Sequence, residues 1–342
     1  MKLGGRTVRP FSISAKVRCR SYSSYLQRAI VDFGADVSFS EAQKKLKEHY
    51  NVDVPLSSIQ NIVENHARNI FEFIENDKEK LTGGNTKQLI AEMDGSMVPI
   101  VDTGMSFEGD SKDGRRVRST RWQEARLCFV REVNELTPVV YATLGDVERA
   151  GCLLYRAALR AGFGSKTKVH GLGDGAKWIE NQMNRVFCKN VKYLVDFYHV
   201  SEYLAAAAEH SWYSEKEEWR RENQDLLKQS KCEDVLQRIR TRLPVDYEEQ
   251  EEEENIERSP VVDCYRYLNN RKNCLDYKAA IDQDLPIGSG EIESAHRHVI
   301  QKRLKIAGAW WKPETAEWML NLRILRANND WDDYWAHQRL VA

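Results

Sequence analysis

From Lys87 onward the chain runs through one order of elements, and that order restricts its topology more than any other feature. Residues 88–93, 122–133 and 138–144 read as strands, rich in β-branched and aromatic side chains. Residues 146–161 then have helical spacing, 168–172 form a fourth strand, 176–186 a helix and 191–196 a fifth strand. Three successive strands pair antiparallel, and each βαβ crossover returns its strand parallel, so β-β-β-α-β-α-β gives a mixed sheet with helices on its faces. Acids punctuate the pattern. Asp94 follows Leu-Ile-Ala-Glu-Met, Asp174 follows Gly-Leu-Gly, and Asp196 stands between Tyr-Leu-Val and Phe-Tyr-His199. A fourth signature, Gly-Ser-Gly-Glu291-Ile-Glu293-Ser, opens a helix.

That order is the one of a ribonuclease-H-like core. The expected fold class is therefore α/β: a ribonuclease-H-like mixed sheet with flanking helices, a helical insertion before the last acid, and an N-terminal helical, helix-turn-helix-like region. Residues 1–35 mix Arg, Lys, Ser and Gly without period and read as a basic, partly disordered arm. Residues 36–84 hold two capping boxes, Ser38-Phe-Ser-Glu41 and Ser57-Ser-Ile-Gln60, each opening an apolar stripe, which suggests two short helices and a tight turn. Residues 85–198 are the first part of the core. Residues 199–285 lack alternation and read as a helical insertion with an acidic loop, and 286–342 return to the core as helices over 291–306 and 314–326.

At 342 residues the chain has room for this core and an accessory module. No apolar run is long enough to span a membrane, and the basic N-terminus lacks the apolar stretch of a secretory signal, so no membrane association and a cytoplasmic, nucleoid-associated location are expected. Seven scattered cysteines without a Cys-x-x-Cys pair argue against a zinc ribbon and for reduced, mostly buried thiols.

The acids suggest a chemistry. Phosphodiester cleavage with Mg²⁺ or Mn²⁺ needs hard oxygen ligands that hold two ions together. A strand end is a rigid place to carry such a ligand, and Gly95 and Gly175 leave space for a nucleic-acid backbone. Asp94 and Asp174 are the first two candidate ligands. Taken singly, each Asp-Gly pair reads as a turn. Their joint placement at two strand ends favours the metal. Glu291 and Glu293 both follow Ser289, an expected N-cap, where either would complement the helix dipole. Glu293 is the third candidate, beside the apolar seam of Ile292, Ala295, Val299 and Ile300. Asp196 and His199 are supporting candidates, since Asp196 is equally a helix cap and His199 a satisfied core histidine.

Net charge is −1, but it is segregated. Residues 1–35 and 111–131 each carry seven Lys or Arg, whereas residues 246–257 carry eight carboxylates and no base. Arg115, Arg116 and Arg118 in the second basic run, and Arg297, Lys302, Arg303 and Lys305 on the helix after Glu293, are the candidate DNA contacts. Trp310 and Trp311 could stack on an unpaired base, although core packing is the commoner use of such residues.

Several strings taken together resemble the bacterial ISKra-type insertion-sequence transposases. They are Met93-Asp94-Gly95, Gly173-Asp174-Gly-Ala-Lys-Trp178-Ile, Val195-Asp196-Phe-Tyr-His199-Val and Leu285-Pro-Ile-Gly-Ser-Gly290-Glu-Ile-Glu293-Ser, with Asn321-Leu-Arg-Ile-Leu325 and Trp331-Asp-Asp-Tyr-Trp335 near the C-terminus. The resemblance runs from about residue 85 to 336. It implies a DDE transposase of Mutator-like layout with Asp94, Asp174 and Glu293 as the triad, and it matches Asp196 and His199 to an acid-x-x-His motif after the second Asp. It also implies two Mg²⁺ or Mn²⁺ ions, the element's terminal inverted repeats and target DNA as partners, and a homo-oligomer on DNA. The chain is short at its N-terminus for this family. The competing readings are a ribonuclease-H-like nuclease or resolvase that cuts without joining, and an inactive or domesticated transposase that only binds DNA.

Overall fold

A computed structural model of the chain describes residues 2–3, 6–7, 22–77, 80–81, 83–103, 118–212, 215–245, 247 and 259–341. Helices α1 (Ser24–Asp36), α2 (Phe39–Tyr50) and α3 (Leu56–Asn76) precede the sheet. The sheet comprises β1 (Gln88–Thr103), β2 (Arg118–Glu132), β3 (Val139–Thr143), β4 (Lys168–Gly173) and β5 (Val191–Val195), with α4 (Val147–Arg160) before β4 and α5 (Lys177–Phe187) before β5. Helices α6 (Phe197–Ser211), α7 (Lys216–Lys228), α8 (Cys232–Arg240), α9 (Pro260–Arg271) and α10 (Tyr277–Ile281) follow. Helix α11 (Gly290–His296) continues through a π-helical stretch (Arg297–Gln301) to Lys302–Leu304, and α12 (Pro313–Ala327) and α13 (Trp331–Val341) close the chain.

The strands lie in the order β3-β2-β1-β4-β5. β1 pairs antiparallel with β2, and β2 with β3, while β4 and β5 run parallel to β1. This is the mixed α/β sheet that the element order predicts, and it is consistent with a ribonuclease-H-like fold. Burial follows the pairing. Leu89 to Met93 of β1 and Val169 to Gly173 of β4 are buried at every position, as expected of central strands covered on both faces. One face carries α4 and α5: Cys128 Sγ donates to Ala150 O at 3.3 Å, and a Cβ at Gly171 would lie 3.4 Å from Met183 Sδ. The other face carries α11, whose Ile292 N–H donates to Glu92 at 2.8 Å. The outer edge of β3 is closed by a side chain, because Asn328 accepts from Val140 N–H at 2.8 Å and donates to Val140 O at 2.9 Å.

Besides β2, which opens at Arg118 and not at Trp122, four boundaries differ from expectation. Residues 1–35 are expected to form a basic, partly disordered arm, but Ser24–Asp36 form α1; Ser23 caps it, and Ile30, Val31, Gly34 and Ala35 are buried. Helix α2 starts at the predicted Ser38 cap, whose hydroxyl accepts from Glu41 N–H at 3.2 Å, but α3 begins one residue before Ser57, with Pro55 at its N-cap. β1 does not stop at Met93 but continues to Thr103. Pro99 sits in that extension at no cost in hydrogen bonds to β2. Its carbonyl accepts from Trp311 N–H at 3.2 Å, so its nitrogen, which has no hydrogen, faces the same open edge rather than the β2 ladder. The fourth is at Phe197, where α6 opens two residues ahead of the expected insertion boundary.

Helix α3 packs its buried face (Ile59, Val63, Ile70, Ile74) into the same core as α1 and α12. A Cβ at Gly34 would fall 2.4 Å from Val63 Cγ2, so glycine lets α1 and α3 approach closely. Buried His66 on α3 bridges to both ends of the chain through Tyr334 Oη at 2.7 Å and Gln27 Oε1 at 2.9 Å, and burial lowers its pKa to about 4. Most of the acidic loop near Glu248–Glu254 lies outside the described residues. The six described cysteines are free thiols, of which Cys128, Cys232 and Cys264 are buried and Cys152 and Cys188 exposed. No helix among the described residues is long and apolar enough to cross a membrane.

Candidate functional site

The first two acids meet through strand register. β1 and β4 pair in parallel from Gln88 opposite Lys168 to Glu92 opposite Leu172. Asp94 lies two residues beyond the last pair, still inside β1, and Asp174 lies two residues beyond it, one past the end of β4. Adjacent strands lie about 4.8 Å apart, so both acids follow the same end of neighbouring strands. Asp94 is therefore inside β1 but just past its pairing with β4.

Around Asp94 the surroundings are polar. Its side chain is 34% exposed, and Oδ1 accepts from Gly95 N–H at 2.7 Å. Oδ2 lies 3.1 Å from His296 Nε2 on α11, although the ring is turned off the line of a hydrogen bond. Residues 92, 94 and 96 share one face of β1, and α11 with its continuation follows them. Ile292 N–H donates to Glu92, His296 lies at Asp94, and Lys305 Nζ donates to Ser96 Oγ at 2.7 Å. The π-helical stretch begins immediately after His296. Such widened turns recur where a helix presents side chains to a functional site.

Glu92 is the acid that sequence reasoning passed over. It is fully buried, one carboxylate oxygen has no hydrogen-bond partner, and burial pushes its pKa up to about 8. A signal was present. In Leu-Ile-Ala-Glu92-Met-Asp94 the two acids alternate in an otherwise apolar strand, which puts both on one face.

The turn carrying Asp174 is held from outside the sheet. Asp174 Oδ1 accepts from Ala176 N–H at 2.8 Å, as an aspartate does at a tight turn. Gly175 has φ +85°, a left-handed conformation that glycine adopts without strain. Two side chains of α9 grip this turn: Tyr267 Oη donates to Asp174 O, and Arg271 Nε donates to Gly175 O at 2.8 Å. The Arg271 guanidinium lies over the Tyr267 ring at 4.0 Å, and Tyr203 of α6 stacks on the other side at 4.0 Å. Helices from the 199–285 region thus fix one of the rim acids. No pattern in the sequence flagged Tyr267 or Arg271.

The two acids of α11 have different surroundings. Glu291 accepts from Arg131 of β2 through both oxygens at 2.6 Å, in a bidentate pair. Glu293 is 71% exposed, and its one ion-pair contact among the described residues is Arg297 at 3.9 Å. It lies three residues before His296 on α11. Among the described residues no three His, Cys, Asp or Glu side chains are already grouped as a metal would hold them. Asp196 caps α6. Its Oδ1 accepts from Tyr198 N–H at 2.6 Å and His199 N–H at 3.2 Å, and its Oδ2 accepts from Ser289 N–H at 2.7 Å and from the Ser289 hydroxyl. It therefore ties the Gly-Ser-Gly turn to the end of β5. The His199 ring does not reach Asp196; it lies 3.5 Å from Glu202 and packs edge-on against Tyr203 and Tyr267.

The basic candidates disperse. Arg115 and Arg116 lie outside the described residues. Arg118 is exposed on β2, Arg297 is 70% exposed, and Lys302 is half exposed and 3.4 Å from Asp36. Lys305 stands beside the rim, where partial burial lowers its pKa against the raising effect of Asp94. Arg303 is a correction. Only 2% exposed, it donates to Gly34 O at 2.8 Å, and its guanidinium lies 4.7 Å from both the Phe39 and Trp311 rings. It holds α1 and α2 against α11 and is not on the surface.

No family model and no curated protein matches the chain, so the resemblance to ISKra-type transposases rests on its motifs. Among solved structures it is similar to the Drosophila P element transposase strand transfer complex, at 10% identity and a TM-score of 0.32, covering 95% of this chain and 83% of that chain. A superposition that loose carries no weight for function.

Proposed function

We propose that this chain is a metal-dependent DNA transposase that cleaves the ends of an insertion sequence and joins them to target DNA. The observation that supports the reading most is that Asp94 and Asp174 each follow by two residues the last β1–β4 pair, Glu92 opposite Leu172. The order of the sheet and the resemblance of the motifs support it. The donor set fits Mg²⁺ or Mn²⁺ in kind, since Asp94 and Asp174 supply hard carboxylate oxygens after the ends of neighbouring strands and a buried Glu92 oxygen two residues before Asp94 lacks a partner. Asp94, Asp174 and Glu293 would hold two ions, with Glu293 brought in by α11. When bound, the ions would activate the attacking water or 3′-hydroxyl and stabilise the leaving oxygen.

The chain's own residues have separate tasks in this reading. Asp94 is oriented by Gly95 N–H and His296, and Asp174 by Ala176 N–H and by the grip of Tyr267 and Arg271 on its turn. Arg297 and Lys305 flank the rim with positive charge for phosphates, and helices α2 and α3, with exposed Lys44 and Lys47, take the role of a terminal-repeat-binding unit. Joining two ends at one target implies at least two copies of the chain on DNA. The test uses a supercoiled plasmid carrying the element's inverted repeats. Wild type with Mg²⁺ is expected to cut at the repeat ends and transfer them, while Asp94→Asn and Asp174→Asn bind the repeats but leave no cleaved product. Full cleavage by either variant overturns the assignment, and cleavage without transfer of pre-cut ends would leave a nuclease.

A further inference from the structure

Two tryptophans lie open at the outer end of the ribbon formed by β1 and β2. Trp122 is 57% exposed and Trp310 45%, with ring centroids 6.1 Å apart. Register explains the pairing. Trp122 stands opposite Pro99, and on the other side of β1 Ile100 bridges in parallel to Trp311, which brings Trp310 level with Pro99. The indoles thus flank Pro99 on one face. Met97, two residues back on that face, is 46% exposed. Two residues further back, opposite Gly95, Arg126 places its guanidinium 5.5 Å from the ring of Trp178, four residues after Asp174.

Aromatic, thioether and guanidinium groups therefore run in one line from Trp178 to the open indoles, over roughly 14 Å of strand from Gly95 to Pro99, on the face of β1 opposite to Asp94. The charge on this line favours an anion. Glu124 is paired with Arg126, while exposed Arg118 and Lys312 have no ion-pair partner among the described residues. Open ring faces with a cationic rim suit a nucleic-acid strand whose bases are not already stacked in a duplex. We propose that this face binds a single DNA strand, with unpaired bases stacked separately on Trp122 and Trp310, whose planes are tilted 56° apart, and phosphates beside Arg118 and Lys312. The choice of polymer rests on the DNA-processing reading above.

The test is fluorescence anisotropy of a labelled oligothymidylate with the full chain and no divalent metal. Trp122→Ala and Trp310→Ala are each expected to weaken binding at least about fivefold, with Trp122→Phe and Trp310→Phe retaining most of it and a duplex of equal length little affected. Unchanged oligonucleotide binding in both alanine variants overturns the proposal. So does a self-association of wild type that the alanine variants lose while their oligonucleotide binding persists, which would assign the face to a second copy of the chain. Because cleavage is not read, failure of the plasmid assay would remove the transposase reading and leave this result standing.

Discussion

Asp174 and Glu293 belong to the same proposed triad but stand on different ground. The Asp174 turn is closed by its own Asp side chain, set by a left-handed glycine, and gripped by Tyr267 and Arg271 from a helix ninety or so residues later in the chain. Glu293 is on an exposed helical turn, with Arg297 at 3.9 Å as its one ion-pair contact among the described residues. Its neighbour Glu291 has the fixed geometry instead, locked to Arg131. The contrast separates an acid held in place before metal arrives from one whose place depends on the helix that carries it. On the proposed reading it also separates a residue that sustains the fold from one that would do the chemistry, two residues apart on α11.

The largest effect should come from Glu293→Gln. Removing a triad carboxylate is expected to lower metal-dependent cleavage by about a thousandfold or more, of the size seen when a group stabilising transition-state charge is lost. Its melting temperature should stay at the wild-type value, because an exposed substitution without fixed partners costs within about 0.5 kcal/mol. Glu291→Gln should behave in reverse, losing about 1 kcal/mol of stability from a part-exposed bidentate pair and retaining most cleavage. If the two variants exchange these phenotypes in thermal melts and cleavage assays, the assignment of Glu293 over Glu291 fails.

Gly175→Ala tests the clamped side. A Cβ there would have to adopt φ +85° and would approach Arg271 Nε to 2.6 Å and Tyr267 Oη to 2.7 Å. Both groups hold the turn, so moving either loses a hydrogen bond. The expected cost is about 2–4 kcal/mol in urea unfolding, with cleavage reduced as well. A variant of wild-type stability would mean that the turn is not gripped as described. Tyr267→Phe is milder. It removes the hydroxyl donated to Asp174 O and should cost about 1 kcal/mol, with a severalfold lower turnover and unchanged binding of DNA ends. An unchanged turnover would limit Tyr267 to packing.

Much of the sheet was legible because strands with buried faces announce themselves. The five strands and the two crossover helices appear where alternation and apolar runs placed them. β1 was cut short at Met93 because Asp94-Gly95 is a turn signal and Pro99 is a strand breaker. Neither rule knew that β4 ends beside Asp94 and leaves an edge where Pro99 is harmless. Helix α1 was lost in the basic composition of the residues before it, although its buried stripe of Ile30, Val31 and Ala35 is regular. Arg303 shows the opposite limit. In Lys302-Arg303-Leu304-Lys305 nothing local separates a buried arginine from two exposed lysines, because Phe39 and Trp311, which enclose it, arrive from elsewhere in the chain. Tyr267 and Arg271 were invisible for the same reason. Glu92 was visible and was read as part of a strand, since an acid in a core strand attracts notice only when its partner on the same face is recognised.

The central claim is that Asp94, Asp174 and Glu293 converge on metal, and iron-generated hydroxyl-radical mapping tests it directly. With Fe²⁺ in place of Mg²⁺, ascorbate and peroxide should cut the polypeptide beside Asp94, Asp174 and Glu293, and these cuts should disappear together in Asp94→Asn. Cuts confined to other positions, or a pattern that Asp94→Asn leaves unchanged, would contradict the account.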